Sequence, residues 1–218
     1  MAWLRIIRPL NGLLAVVSLW VATWLAAKEL IISIRPSLAL FLLISFGYVI
    51  NDIFDRKLDA IGKPGRVLPS GQLSVQQAIL LAVVCMSLSL GLAAWHSTAV
   101  LAYVGLVALL LFHYAFSLSG TPLVGNIVVA LLCSSVFYLG GMIAPADERG
   151  WQLLFAASSF SFLHHFGREI VKDLEDVDAD RQAGRKTMPV AWGRAAAVIS
   201  AGVVLLLLIG ATYLLNLK

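Results

Sequence analysis

Long apolar stretches alternate with short polar ones along this chain, and nowhere does a period of two suggest a strand. Seven stretches stand out, at approximately 10–27, 37–51, 75–95, 98–117, 122–143, 151–170 and 195–215. Each approaches the roughly 20 apolar residues that a helix needs to cross a bilayer. The second is short, and its helix is expected to continue into the acidic residues that follow. The pattern predicts an all-α, multi-pass transmembrane helical bundle of about seven spans, one domain over residues 1–218. The first stretch follows basic residues, as in a secretory leader. From Leu10 to Ala27 it is too long for a leader's apolar core, so it is read as a retained span.

Composition agrees. The chain is 60% hydrophobic and only 13% charged, about half the charge fraction of an ordinary soluble domain. Its formal charge of +4 would suggest nucleic acid in a soluble protein. Here the cations sit in short loops beside apolar spans, where they set orientation, and no nucleic-acid partner is expected. With the N-terminus cytoplasmic, one side holds Arg5, Arg8, Arg56, Lys57, Lys63, Arg66, Arg168, Lys172, Arg181, Arg185, Lys186 and Arg194. The other holds only Lys28, Arg35, Arg149 and Lys218. The expected location is a cell membrane, with both large polar loops cytoplasmic. Cys85 and Cys133 lie inside apolar runs without metal-ligand spacing and are expected to be packed, reduced thiols.

Acidic residues are more localised still. Nine of the 12 gather in or beside two loops on that one face. Asp52, Asp55 and Asp59 follow the second span; Asp173, Asp176 and Asp180 repeat their spacing, DxxDxxxD, at an offset of 121 residues. The segments 51–59 and 172–180 thus mark two related halves, and each is followed by Gly, basic residues and Pro. Paired halves commonly build a membrane site between them. Spacings of i, i+3 and i+7 place three acids on one face of a helix, where they repel one another unless something compensates. A solvated helix end is the plain explanation for one such cluster. Two matched clusters point to divalent cations with hard oxygen ligands, Mg²⁺ above all. The cations nearby, Lys63, Arg66, Lys172, Arg181, Arg185 and Lys186, serve topology and also suit a polyanion bound through metal, such as a diphosphate. Arg66 and Lys172 are the expected phosphate contacts.

"NDIFDRKLDA…KPGRVLPSG" with "KDLEDVDADRQAGRKT" resembles the UbiA superfamily of intramembrane prenyltransferases. Its NDxxDxxxD motif is matched by Asn51, Asp52, Asp55 and Asp59, and its DxxxD motif by Asp176 and Asp180. "RPLN" at Arg8 to Asn11 and "LVGN" at Leu123 to Asn126 agree as well. Of its branches, "REIVKDLEDVDADRQAGRKTMPV" is most similar to the digeranylgeranylglyceryl phosphate synthases.

The resemblance implies Mg²⁺ held by Asp52, Asp55, Asp59, Asp173, Asp176 and Asp180, with Asp52, Asp55, Asp59, Asp176 and Asp180 carrying catalysis. Asn11, Asn51, Lys63, Arg66, Lys172, Arg185 and Lys186 are the substrate-binding residues it implies. The donor would be an isoprenyl diphosphate, ionising to an allylic cation that a lipid or aromatic acceptor captures. Geranylgeranylglyceryl phosphate is the first choice of acceptor, and 4-hydroxybenzoate or another quinone precursor the alternative. Trp20, Trp24, Phe41, Phe46, Phe112, Tyr114, Phe137 and Tyr138 could line a tunnel for the prenyl tail, although plain bundle packing or lipid contact is the commoner role of each. His164 and His165 are weighed as a general base or as acceptor-binding groups against packing or interface placement, and His113 as a residue facing the site from the fourth span. There are departures from the family. It implies nine spans against the seven expected here, and the lysine many relatives carry near "FSLSGTPLVGN" is replaced by the region of Ser117 and Ser119.

Two other classes compete. A cation transporter could use paired acidic motifs, but its site would lie near the midplane rather than at span ends. A CDP-alcohol phosphotransferase would need one DGxxAR motif, which this sequence lacks.

Overall fold

The computed structural model describes residues 1–216, with side chains described through Tyr213; Lys218, counted above on the non-cytoplasmic side, lies outside the described residues. All regular elements described are helical. In chain order they are α1 (Ala2–Ile7), α2 (Pro9–Ala27), α3 (Ile34–Phe54), α4 (Arg56–Gly62), α5 (Val75–His96), α6 (Thr98–His113), α7 (Val124–Ser134), α8 (Val136–Ile143), α9 (Glu148–Glu175), α10 (Val177–Gln182), α11 (Met188–Ala191) and α12 (Arg194–Asn216). A π-helical turn, Tyr114–Leu118, extends α6.

Local chemistry explains the starts. Pro9, whose missing N–H costs nothing there, opens α2 after a left-handed Arg8 (φ 48°). Ser74 and Gln77 form a reciprocal capping box on α5. Ser97 caps α6, and Asp147 accepts from the Gly150 N–H at 2.6 Å to start α9.

Among the described residues, six helical stretches are long and apolar enough to span a bilayer: Pro9–Ala27, Ile34–Phe54, Val75–His96, Thr98–Leu118, Val124–Ile143 and Arg194–Tyr213. The expected span at 151–170 lies inside α9, whose 28 residues are ample in length. Ser158, Ser159, His164 and His165 make it less apolar than the rest. The second span does run on into the acidic motif, to Phe54. The fifth is broken between α7 and α8 at Ser135. The chain is a multi-pass membrane protein of the expected all-helical class.

Lipid tails offer no hydrophobic drive for helices to associate, so close backbone approach and buried hydrogen bonds must hold the bundle. Gly140 shows the first: a Cβ there would lie 2.3 Å from the Ala22 Cβ, so α8 and α2 meet almost backbone to backbone. Ser89 on α5 shows the second, donating at 2.7 Å to the Ala39 carbonyl on α3. Trp20 Nε1 donates to Ser37 Oγ at 3.0 Å, and Tyr103 pairs with Ser135 at 2.8 Å. Leu19, Leu40, Leu43, Val100, Val104 and Leu139 fill the interior between these contacts. Leucines and valines along α12 remain exposed, as a lipid-facing helix requires.

Candidate active site

Both acidic segments bend at the middle aspartate, which corrects the expectation of three acids on one straight helix. Asp52 lies in the last turn of α3, Asp55 is the joint and Asp59 sits in α4; Asp173 lies in the last turn of α9, Asp176 is the joint and Asp180 sits in α10. The joints match, with φ −79°, ψ 0° at Asp55 and φ −92°, ψ 3° at Asp176. Backbone bonds continue through each bend: the Asp55 N–H reaches the Asn51 carbonyl at 2.8 Å, and the Asp176 N–H the Lys172 carbonyl at 3.0 Å. The two bent segments approach each other closely. A Cβ at Gly62 would stand 3.0 Å from the Ala179 Cβ, so α4 and α10 meet at a small residue on each side.

Between them lies a polar cavity of about 110 Å³. Asn51, Asp55, Asp59, Asp173, Asp176 and Asp180 line it, with Arg8, Lys63, Arg66, Lys172 and Arg185. Residues 121 apart in sequence therefore share one chamber. Asp52 stands behind the wall, 5% exposed, bonded to Arg8 at 2.5 Å and 3.8 Å from Arg66.

Most of these acids meet a cation. Arg66 donates to both oxygens of Asp59 at 2.8 and 2.7 Å. Lys63 bonds Asp176 at 2.7 Å and Arg185 bonds Asp55, so both pairs join one half to the other. The exceptions have neutral partners: Asn126 donates to Asp173 at 2.9 Å and Thr187 to Asp180 at 3.0 Å. Among the described residues no three acidic, His or Cys side chains converge tightly enough to ligate one ion. The donor chemistry nevertheless fits Mg²⁺: hard carboxylate oxygens from two segments facing one chamber, with cations poised to neutralise a polyanion.

Burial sets the electrostatics. It pushes the Asp173 carboxyl up to about 6, with the Asn126 bond and Lys172 pulling the other way. Burial raises Asp59 against the opposing pull of Arg66, and Asp180 against Thr187 and Arg185. Burial works against the Lys172 ammonium, but Tyr114, Glu169 and Asp173 outweigh it and hold its pKa above the ordinary lysine value.

Other expected residues stand elsewhere. Asn11 is exposed outside the chamber and donates to the Tyr48 hydroxyl at 2.8 Å. Lys186 is exposed, and only its backbone N–H is engaged, on the Gly120 carbonyl at 3.0 Å. Arg181 points away, toward Asp178. Ser119 lines the chamber and accepts from Arg185 at 3.2 Å, whereas Ser117 turns back to the His113 carbonyl. His164 and His165 pack edge to face beside each other, outside the chamber. Of the aromatics weighed for a tunnel, Tyr114 lines the polar chamber and Tyr138 an apolar groove of about 640 Å³ between α6, α7 and α9. Trp20 is bonded to Ser37, and Trp24 and Phe112 are exposed.

Sequence reasoning assigned no site role to Arg8, Asn126, Glu169 or Thr187. One signal was available for Asn126, since a buried amide at the head of an apolar span must find a partner.

Residues 14–217 match the model of the UbiA prenyltransferase family. The chain is 35% identical to the digeranylgeranylglyceryl phosphate synthase of Methanopyrus kandleri, covering 90% of this chain and 72% of that protein. It is 32% identical to that of Methanobrevibacter smithii, covering 94% and 74%. Among solved structures, a digeranylgeranylglyceryl phosphate synthase superposes with a TM-score of 0.77 at 28% identity, over 99% of this chain and 77% of that one. A UbiA homologue from Archaeoglobus fulgidus, bound to GPP and Mg²⁺, shares the fold at 21% identity with a TM-score of 0.80, over 100% of this chain and 79% of that one.

Proposed function

The chain belongs to the UbiA prenyltransferase family, and on that premise we propose that it transfers a geranylgeranyl group from its diphosphate to geranylgeranylglyceryl phosphate. The observation that carries this reading is the shared chamber, where acids and cations from both halves face one another. Mg²⁺ on these carboxylates would stabilise the charge of the departing diphosphate. Asp55, Asp59, Asp173, Asp176 and Asp180 would hold it from the chamber wall, with Asp52 joining them from behind that wall, and a GPP- and Mg²⁺-bound protein of the same fold supports this.

The chain's own residues supply the rest. Lys63, Arg66, Lys172 and Arg185 line the chamber and neutralise diphosphate oxygens, while Asn51, donating to Asp55 at 2.8 Å, fixes that carboxylate. The bond from the prenyl C1 to the diphosphate oxygen breaks, its electron pair leaving with the diphosphate. The acceptor hydroxyl oxygen bonds to C1 and gives up its proton to the released diphosphate. Apolar walls protect the cation from water, and the groove reaching Tyr138, built on the same α6 and α9 that approach the chamber, is the proposed seat of the prenyl tail. The chamber faces the cytoplasm in this reading, as the distribution of Lys and Arg among the loops indicates.

Membranes carrying the protein, given radiolabelled geranylgeranyl diphosphate with either geranylgeranylglyceryl phosphate or 4-hydroxybenzoate, test the reading. Labelled product is expected with the first acceptor, and chelation of Mg²⁺ should stop it. Product with 4-hydroxybenzoate alone would replace the acceptor assignment. Absence of product with both would overturn the function.

A further inference from the structure

Of the cations lining the chamber, Lys172 is distinctive: among the described residues it is the one whose ion-pair partner is not a motif aspartate. Its partner is Glu169, a carboxylate 4% exposed that does not line the chamber. Lys172 bonds one oxygen of Glu169, and Arg168 Nη1 donates to the other at 2.7 Å. A buried carboxylate with each oxygen on a different cation is costly to build. The two cations it holds keep much of their own surface open, with side chains 60% exposed for Arg168 and 40% for Lys172. They stand four residues apart on α9, hence on one side of the helix and about 6 Å apart along its axis.

The reaction proposed above needs two anions held at about such a spacing. An attacking hydroxyl must come within roughly 3.5 Å of the carbon that carries the diphosphate, and the acceptor's phosphate sits on the same small glycerol as that hydroxyl. Lys172 faces the diphosphate chamber. Arg168 lies one turn deeper toward the span on α9.

We infer that Glu169 is a positioning residue that orients Lys172 toward the donor diphosphate and Arg168 toward the acceptor's phosphate group. The inference rests on the proposed function and adds the acceptor-phosphate site to it. Arg168 meets an anion in the bundle, and Glu169 touches neither substrate.

The test is a split of KM values in neutral phosphatidylcholine nanodiscs. Arg168→Gln should raise KM for geranylgeranylglyceryl phosphate about tenfold and leave the donor KM alone; Lys172→Met should do the reverse. Glu169→Gln should raise both, and in a Lys172→Met background should add nothing further to the donor KM. Wild-type protein should prefer the phosphorylated acceptor to geranylgeranylglycerol, and Arg168→Gln should lose that preference. Calorimetric binding of Mg²⁺ with inorganic diphosphate reads the Lys172 arm without turnover, and Glu169→Gln should weaken it. Failure of wild-type transfer refutes the function, whereas unchanged diphosphate binding in Glu169→Gln refutes the positioning. If Arg168→Gln keeps the acceptor KM and responds only to anionic lipid added to the nanodisc, Arg168 serves the bilayer and the acceptor site is wrong. Should Glu169→Gln not fold, the Arg168 and Lys172 variants, at exposed side chains, still decide.

Discussion

Replacing Asn126 with leucine isolates one hydrogen bond at the chamber wall. Asn126 and Asp173 are 5% and 8% exposed, and their 2.9 Å bond is the one the amide donates to that carboxylate. Leucine fills a similar volume without a donor. A hydrogen bond to a charged group is worth about 1.5–3 kcal/mol, and the lower end corresponds to about one pKa unit. The bond favours the ionised form, so its loss moves the Asp173 pKa upward from about 6 to about 7. Mg²⁺ needs the ionised carboxylate, and protons compete for it. From those two pKa values, the ionised fraction at pH 8 falls only from about 99% to 91%, at pH 7 from about 91% to 50%, and at pH 6 from about 50% to 9%. The Mg²⁺ concentration for half-maximal transfer should therefore be nearly unchanged at pH 8, rise about twofold at pH 7 and about fivefold at pH 6. Mg²⁺ titrations of purified protein at the three pH values measure this, with thermal unfolding in parallel. A Mg²⁺ requirement raised equally at all three values, tracking a loss of thermal stability, would refute the reasoning, because a generally loosened site has no reason to follow one carboxylate's titration.

Asp52→Asn and Asp176→Asn should each abolish Mg²⁺-dependent transfer while membrane insertion, read by fractionation, stays intact; activity in both would dismiss the two-segment site. Gly62→Val should cut transfer more than tenfold with only a small drop in thermal stability, since the added methyls press on Ala179 where α4 meets α10 rather than in the bundle interior; normal activity would show that this approach is dispensable. Ser89→Ala removes the buried bond to the Ala39 carbonyl and should cost about 0.6–1.7 kcal/mol in a reversible denaturation assay in detergent, with no change in either substrate's KM.

The helices were legible because a bilayer imposes their length: the seven apolar runs and the helices of the structure differ by only a few residues at most ends. Length says nothing of continuity, so the break at Ser135 and the bends at Asp55 and Asp176 did not show. The repeated aspartate spacing pointed to acids that do gather at one place, since two similar segments on one face can meet. What it could not give was their partners. Arg8 finds Asp52 across 44 residues and Arg185 finds Asp55 across 130, pairings that only the folded bundle dictates. Asn11, weighed between a substrate role and a helix-to-helix bond, makes the second. A polar group in an apolar span needs a hydrogen bond, and Tyr48 satisfies it without any substrate. Glu169 escaped because the acidic triad that begins four residues later, at Asp173, gave a simpler account of the charge.

The matched bends at Asp55 and Asp176 raise a question of polarity. Two exact copies of one segment facing each other would make a chamber with no built-in front or back, whereas bond cleavage must release a diphosphate from one particular end. The residue before each triad is one of the places where the two halves differ, beside the unlike partners of Asp52 and Asp173. Asn51 leans on its own half's aspartate, while Lys172 presents a positive charge from the other. Exchanging the two, as Asn51→Lys with Lys172→Asn, would invert that bias while conserving the chamber's composition, and so would ask whether the substrate's direction is written in a single pair of residues.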